Sequence, residues 1–454
     1  MIMNLTDARK LVVFSNSKDK FRKNFDSLMS GASKMISDNK KEDAAKLISE
    51  IAIDLQSRLA DWVLKHTVDE TEINEAVEEC YEFLRTNQKE GVIDEIRKEA
   101  HSIEQSEIVK ACTASDKGEM GFFWGHDYCT GIDYSLRRGA CFVTTNPAKI
   151  NLYRLDNPDE WNEKLKNVTI KNPKISPEET ISRMYVEVVA MIAEKLRPIY
   201  DASCGKYGFV CIQPNPKTTR DSKAMVDEVL FWNSEFQERF NDKNINIVYK
   251  IPAVPAGVEV VRTLKKHGLR LCITLNFSVF QHDLFSDYIS GGERGDFLVV
   301  MGGIVDDHVA KELMKQGVNE EHAREYSHYA AGAVIRNSYM NLRKKGLNPI
   351  IMGGSVRGPW SILNCFTSDA SRPIALTTMP DMVKLFDEEP RPISDTVNSA
   401  IPEKVLEILE KSKTFKEASR KDGLTSETIE QYPPLVAVND SFIKGYEETL
   451  ASLT

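Results

Sequence analysis

From Gly121 onward the chain alternates short apolar runs with longer amphipathic stretches, and this pattern restricts its fold more than any other feature. The runs are FFWGH (122–126), CFVTT (141–145), GFVCIQ (208–213), NIVYKI (246–251), RLCITL (270–275), FLVVMG (297–302), NPIIMG (348–353) and PIALTT (373–378). Between most of them lie segments with helical periodicity, such as SPEETISRMYVEVVAMIAEKL (176–196), SKAMVDEVLFWNSEFQERF (222–240) and GVEVVRTLKKHG (257–268). Buried strands alternating with helices imply parallel βαβ units. Eight such units over roughly 260 residues fit an α/β fold of the (β/α)8 TIM-barrel type. A doubly wound open sheet is the alternative, but no G-x-G-x-x-G follows the first run, so a dinucleotide fold gains no support.

Residues 1–105 read as a helical N-terminal extension, with Leu47, Ile51, Leu55, Leu59 and Trp62 at helical spacing. This segment is a cap or a surface for self-association into a homo-oligomer. Residues 106–454 form the barrel unit, and its C-terminal part, from about 402, again looks helical. The 454 residues include 41% hydrophobic and 28% charged side chains, enough for a large soluble core. A net charge of −9 argues against general nucleic-acid binding, which needs a basic face. The opening MIMNLTDARK has no basic stretch followed by an apolar one, and no run is long enough to span a membrane, so a cytoplasmic location is expected. The eight cysteines are scattered without C-x-x-C and are expected as buried thiols; neither they nor the dispersed histidines suggest a metal site.

Side chains alternate across a strand, so one set of each strand points into a barrel. In NIVYKI, Val248 and Lys250 share a face, while Ile247, Tyr249 and Ile251 share the other. If the second set packs on the helices, Lys250 points inward. By the same alternation Cys272, Thr274 and Asn276 share a face, and so do Cys211 and Gln213. These polar residues lie near the C-terminal ends of their strands, where barrel enzymes build active sites. A poorly solvated interior disfavours a charged ammonium, and an amine so placed can form a Schiff base with a carbonyl substrate. A lysine snorkelling from a strand end, or paired with a carboxylate, is the plain alternative.

Four segments in order resemble the transaldolase family of class I aldolases. VTTNPAKI (143–150) resembles its T-T-N-P segment, and NIVYKIPAVPAGVEVVRTLKKHGLRLCITLNFSVFQ (246–281) resembles its Schiff-base lysine strand with the following helix and strand. NPIIMGGSVRGPWSI (348–362) resembles its M-G-A-S-F-R segment, and ALTTMPDMVKLF (375–386) its last strand and helix. The resemblance spans about 120 to 390 and has no counterpart for residues 1–105. It implies a barrel in which a ketose condenses with Lys250, the C3–C4 bond breaks, and a three-carbon dihydroxyacetone unit passes to an aldehyde acceptor. No cofactor or metal is implied; the partner is a sugar or sugar phosphate.

Carried over by position, Asn146 matches the asparagine that binds the dihydroxyacetone hydroxyl, and Thr274 the threonine that helps hold the catalytic water. Asp127, 19 residues before Asn146, is the candidate for the proton-transfer aspartate, with Asp133 as the alternative. Ser355 and Arg357 match a serine and an arginine that bind the substrate phosphate. Three departures stand out. Gln213 replaces a glutamate and resembles the fructose 6-phosphate aldolase subgroup; an amide orients a water but cannot exchange protons with it. Gly303, in LVVMGGIVDD, falls where a second phosphate-binding arginine is expected, with Arg294 and Arg262 as replacements to be considered. Asn276 adds an amide to the substrate-binding set, and Trp124, His126 and Tyr128 suggest a modified pocket. The alternatives to a transferase are an aldolase needing no acceptor, a non-catalytic barrel serving as a binding module, and a phosphate-binding barrel of unrelated chemistry built around GGSVRG (353–358).

Overall fold

The computed structural model describes residues 4–289, 291 and 294–453. Residues 1–3, part of the leaderless N-terminal reading, lie outside that set. Each expected apolar run forms a strand: β1 Phe122–His126, β2 Phe142–Thr144, β3 Phe209–Ile212, β4 Ile247–Pro252, β5 Leu271–Thr274, β6 Phe297–Met301, β7 Ile350–Gly354 and β8 Ile374–Thr378. They are parallel and close in chain order. β8 pairs with β1 from Phe122 opposite Ile374 to His126 opposite Thr378, which excludes the open sheet.

Two apolar layers follow from the strand alternation. Ile247, Tyr249 and Ile251 face outward into the layer between strands and helices. Phe142, Phe209, Cys211, Val248, Cys272 and Phe297 fill the barrel interior. Phe142 and Phe209 stack at 5.0 Å between ring centres. Gly125 makes room for this filling, since a Cβ there would sit 2.4 Å from the Phe142 ring. At the N-terminal ends of the strands the Arg270 guanidinium lies 4.3 Å from the Phe209 ring and 4.9 Å from that of Phe297. Burial pushes its pKa down to about 10. The bottom and waist of the barrel are thus closed, and open space remains at the C-terminal ends.

The N-terminal helices, Leu5–Val12 through Glu107–Asp116, share one continuous apolar core with the outer layer of the barrel. A buried charge cluster reinforces this packing. Asp54 accepts from Arg9 at 2.8 Å and from Arg137 at 2.8 Å, and Arg9 also pairs with Asp133 at 2.6 Å. The last helix, Pro433–Ala451, returns to the C-terminal end of the barrel and packs on the helix Pro147–Asp156. Asn151 donates to Glu448 at 2.6 Å across that contact. Among the described residues no helix is long and apolar enough to cross a membrane. Cysteine burial follows expectation except at Cys204, which is exposed; all eight are free thiols.

Candidate active site

A cavity of about 520 Å³ opens at the C-terminal ends of the strands, with lining residues at or just beyond the end of every strand except β3. Lys250 is part of this lining and is 6% exposed. Its Nζ donates to the Thr145 carbonyl at 3.1 Å. No carboxylate pairs with it among the described residues, so the reading of a lysine held by an acid fails. Across the sheet it registers with Cys272, and Pro252 registers with Thr274. Thr274 also lines the cavity and is 1% exposed.

The opposite wall carries Asp127, just after β1. Its backbone N–H donates to the Thr378 carbonyl at 2.9 Å, which fixes the residue to β8. Its Oδ1 accepts from Thr144 Oγ1 at 2.7 Å, and Thr144 Oγ1 lies 2.5 Å from Thr377 Oγ1. The Thr144 proton is used on Asp127, so Thr377 donates to Thr144. The result is a directed chain of hydroxyls ending on a carboxylate, with all three residues in the cavity lining. Asn146 caps the helix Pro147–Asp156, its Oδ1 accepting from the Lys149 N–H at 2.9 Å. That bond and Pro147 at the first helical position fix the T-T-N-P turn and keep Asn146 in the lining.

Ser355 and Arg357 lie in the loop after β7 and line the outer cavity. Ser355 has φ +58°. Its carbonyl accepts from the Arg357 guanidinium at 3.2 Å, and Arg357 Nε donates to Asp307 at 3.1 Å. This loop lies directly on Gly303. A Cβ at position 303 would meet the Ser355 carbonyl oxygen at 1.9 Å and Arg357 Cγ at 2.6 Å. No side chain fits there with this backbone, so the missing arginine reflects a close approach of the loop after β7 to the first turn of the helix Gly302–Lys315.

Gln213 and Asn276 are buried, at 3% and 0% exposure, but lie outside the lining of the cavity. Gln213 Oε1 and both amide atoms of Asn276 are without a protein partner. The expectation that Asn276 continues the face of Thr274 assumed an unbroken strand. β5 ends at Thr274, and Leu275 has φ +51°, which interrupts the alternation. Several alternatives are corrected outright. Asp133 pairs with Arg9 in the buried cluster under the N-terminal helices. Arg262 sits on the outer helix Pro255–Lys266, bonded to the Tyr288 hydroxyl at 2.8 Å. Arg294 donates to the Cys204 carbonyl at 2.9 Å at the other end of the barrel. The first-strand aromatics do not modify the pocket either. Trp124 donates to the Arg138 carbonyl at 3.2 Å on the outer side, and Tyr128 bonds Asp156. His126 Nε2 donates to the Thr130 carbonyl at 2.7 Å while Nδ1 lies 2.9 Å from Ser135 Oγ, and burial lowers its pKa to about 4. These contacts hold it as a neutral packed imidazole.

Other lining residues were not singled out from the sequence: Thr144 and Thr377, Lys149 and Asp381, and from the last helix Val438, Ser441 and Phe442. One stripe was readable. Ile304, Asp307, His308 and Lys311 follow i, i+3, i+4, i+7 spacing on the helix Gly302–Lys315, and all four line the cavity.

Comparison with known proteins agrees with this geometry. The model of the Transaldolase/Fructose-6-phosphate aldolase family matches residues 132–433. Transaldolase 1 of Streptomyces avermitilis is 27% identical over 195 residues, which is 40% of this chain and 49% of that protein. Transaldolase 2 of Streptomyces coelicolor is 25% identical over 274 residues, 54% of this chain and 71% of that protein. Transaldolase of Neisseria gonorrhoeae is 26% identical over 143 residues, 32% of this chain and 38% of that protein. The chain spans about half the length of the first of these relatives.

Proposed function

Since the chain belongs to the Transaldolase/Fructose-6-phosphate aldolase family, we propose that it breaks and forms carbon–carbon bonds of ketoses through a Schiff base on Lys250. The observation that carries this reading is the Lys250 amine itself, which lines the cavity, is nearly excluded from bulk solvent and is hydrogen-bonded to a carbonyl instead of a carboxylate. The amine adds to the ketose C2 carbonyl and expels water, leaving an iminium that withdraws electrons from the C3–C4 bond. Asp127 takes the proton of the C4 hydroxyl as that bond breaks and the aldehyde fragment leaves. The electron pair stays at C3, shared with the iminium as an enamine. Thr274 holds the water used in forming and hydrolysing the imine, and Asn146 binds the hydroxyl of the retained dihydroxyacetone unit.

The enamine then attacks an aldehyde acceptor, with Asp127 returning its proton to the new hydroxyl. Turnover of a ketose to free aldehyde, compared in wild type and Lys250→Met, tests the assignment. We expect the variant to lose at least about 10⁴-fold in kcat; unchanged turnover contradicts it. Gln213 favours a second reading, cleavage without an obligatory acceptor, because its amide cannot exchange a proton with the water. Gln213→Glu is expected to raise transfer relative to cleavage, and an unaltered ratio removes this reading.

A further inference from the structure

We infer that Asp306 and Trp360 form a latch behind the loop after β7: the ionised Asp306 carboxylate accepts the indole N–H and holds Arg357 at the cavity, and the neutral acid lets it go. The inference rests on the functional reading above for the cavity and adds two positioning residues that do not line it. Trp360 belongs to the helix Pro359–Leu363, which continues directly from the loop. Its ring stacks on that of His328, with centres 3.5 Å apart and planes at 15°. Gly358 lies against the same indole, since a Cβ there would sit 2.2 Å from it. Ser361, in the same helix, accepts the Arg357 backbone N–H at 3.3 Å. The backbone of Arg357 is thus tied to the segment that the indole anchors.

Asp306 and Asp307 are consecutive on the helix Gly302–Lys315 and grip this segment from two sides. Asp307 lines the cavity and accepts from Arg357 Nε at 3.1 Å. Asp306 is 3% exposed, and its Oδ1 accepts the Ala331 N–H at 2.9 Å. Its Oδ2 and Trp360 Nε1 are both buried, and neither has a hydrogen-bond partner among the described residues. The indole N–H nevertheless faces the carboxyl and favours its ionised form. Both neighbours of Asp306 are therefore donors. The ionised carboxylate can accept from the two at once, whereas a protonated Oδ2 sets an O–H against the indole N–H. Burial opposes ionisation and pushes the Asp306 pKa up to about 8; Asp307 adds to the rise, while the Ala331 and Trp360 donors and Arg357 work against it. His328 is neutral across this range, since burial together with Arg391 and Arg324 lowers its pKa to about 4. An unpaired buried donor beside an unpaired buried acceptor is a costly arrangement that ionisation removes.

The test is fluorine NMR of the full chain carrying fluorotryptophan, in wild type, Asp306→Asn and Trp360→Phe. The sequence has five tryptophans, so the resonance lost in Trp360→Phe identifies Trp360. In wild type that resonance is expected to shift with a midpoint near pH 8, and in Asp306→Asn to stay fixed. Calorimetric affinity for fructose 6-phosphate is expected to rise about threefold more in wild type than in either variant over the same increase in pH. A Trp360 resonance that ignores pH in wild type, or titrates equally in Asp306→Asn, overturns the latch. Equal affinity profiles in the three chains, or no binding in any, overturn its effect on the cavity. Trapping on Lys250 is scored apart. A titrating resonance with no borohydride adduct supports the latch and removes the Schiff base, and an adduct beside a fixed resonance does the reverse.

Discussion

Lys250 and Thr274 were readable as inward-facing residues because β4 and β5 are regular as far as those positions, and a period of two needs nothing else. Asn276 was not, because Leu275 takes a left-handed conformation that no periodicity rule anticipates. Asp127 could be proposed from its distance to Asn146, but its setting comes from a hydroxyl on β2 and another on β8, far apart in sequence. That setting makes a prediction. Asp127→Asn keeps an oxygen for Thr144 and removes the proposed base, so kcat should fall about 10²–10⁴-fold while a ketose still forms its trapped adduct on Lys250. Steady-state kinetics and adduct mass together check this; loss of the adduct would make the residue structural.

At the level of elements, strand positions were legible throughout, since each is a short apolar run bounded by polar or turn-forming residues. What the elements present to the cavity was less so. The aromatic character of β1 suggested a crowded pocket, whereas Trp124 and His126 face the helices. The loop after β3 shows how an outer element holds an inner one. Glu228, on the helix Ser222–Phe240, accepts the Asn215 N–H at 2.8 Å and the Ser182 hydroxyl at 3.1 Å, and burial pushes its pKa up to about 7. An acid raised in the folded state binds its proton more tightly there than in the unfolded chain. Its neutral form thus favours folding below the unfolded value of about 4.3, and that contribution is lost as pH rises to about 7. Glu228→Gln should flatten the decline in stability across that window, by an amount on the order of 2–3 kcal/mol, in urea unfolding at pH 4.5 and 7.5. A decline equal to that of wild type would contradict the assignment.

On the scale of the whole molecule, a barrel with helices at both ends of the chain was legible, and the way those helices attach was not. Asp54 meets Arg9 and Arg137 from positions 45 and 83 residues away, a spacing without local signature. The three groups are almost fully buried, so Asp54→Ala removes the carboxylate that Arg9 and Arg137 share, leaving Arg9 only Asp133 and Arg137 only Glu50, and should cost about 2–3 kcal/mol in thermal or denaturant unfolding. A loss below about 1 kcal/mol would mean that the N-terminal helices contribute little to holding the barrel. The continuous core predicts one cooperative transition for these helices and the barrel together. All of this architecture serves to hold one amine beneath a mouth of mixed charge. Borohydride reduction in the presence of a ketose, followed by peptide mass mapping, addresses that amine directly. The expected result is a reduced three-carbon or ketose adduct on the peptide containing Lys250, absent from Lys250→Met; reduction with no adduct at Lys250 across a panel of ketoses, phosphorylated and not, would contradict the Schiff-base chemistry.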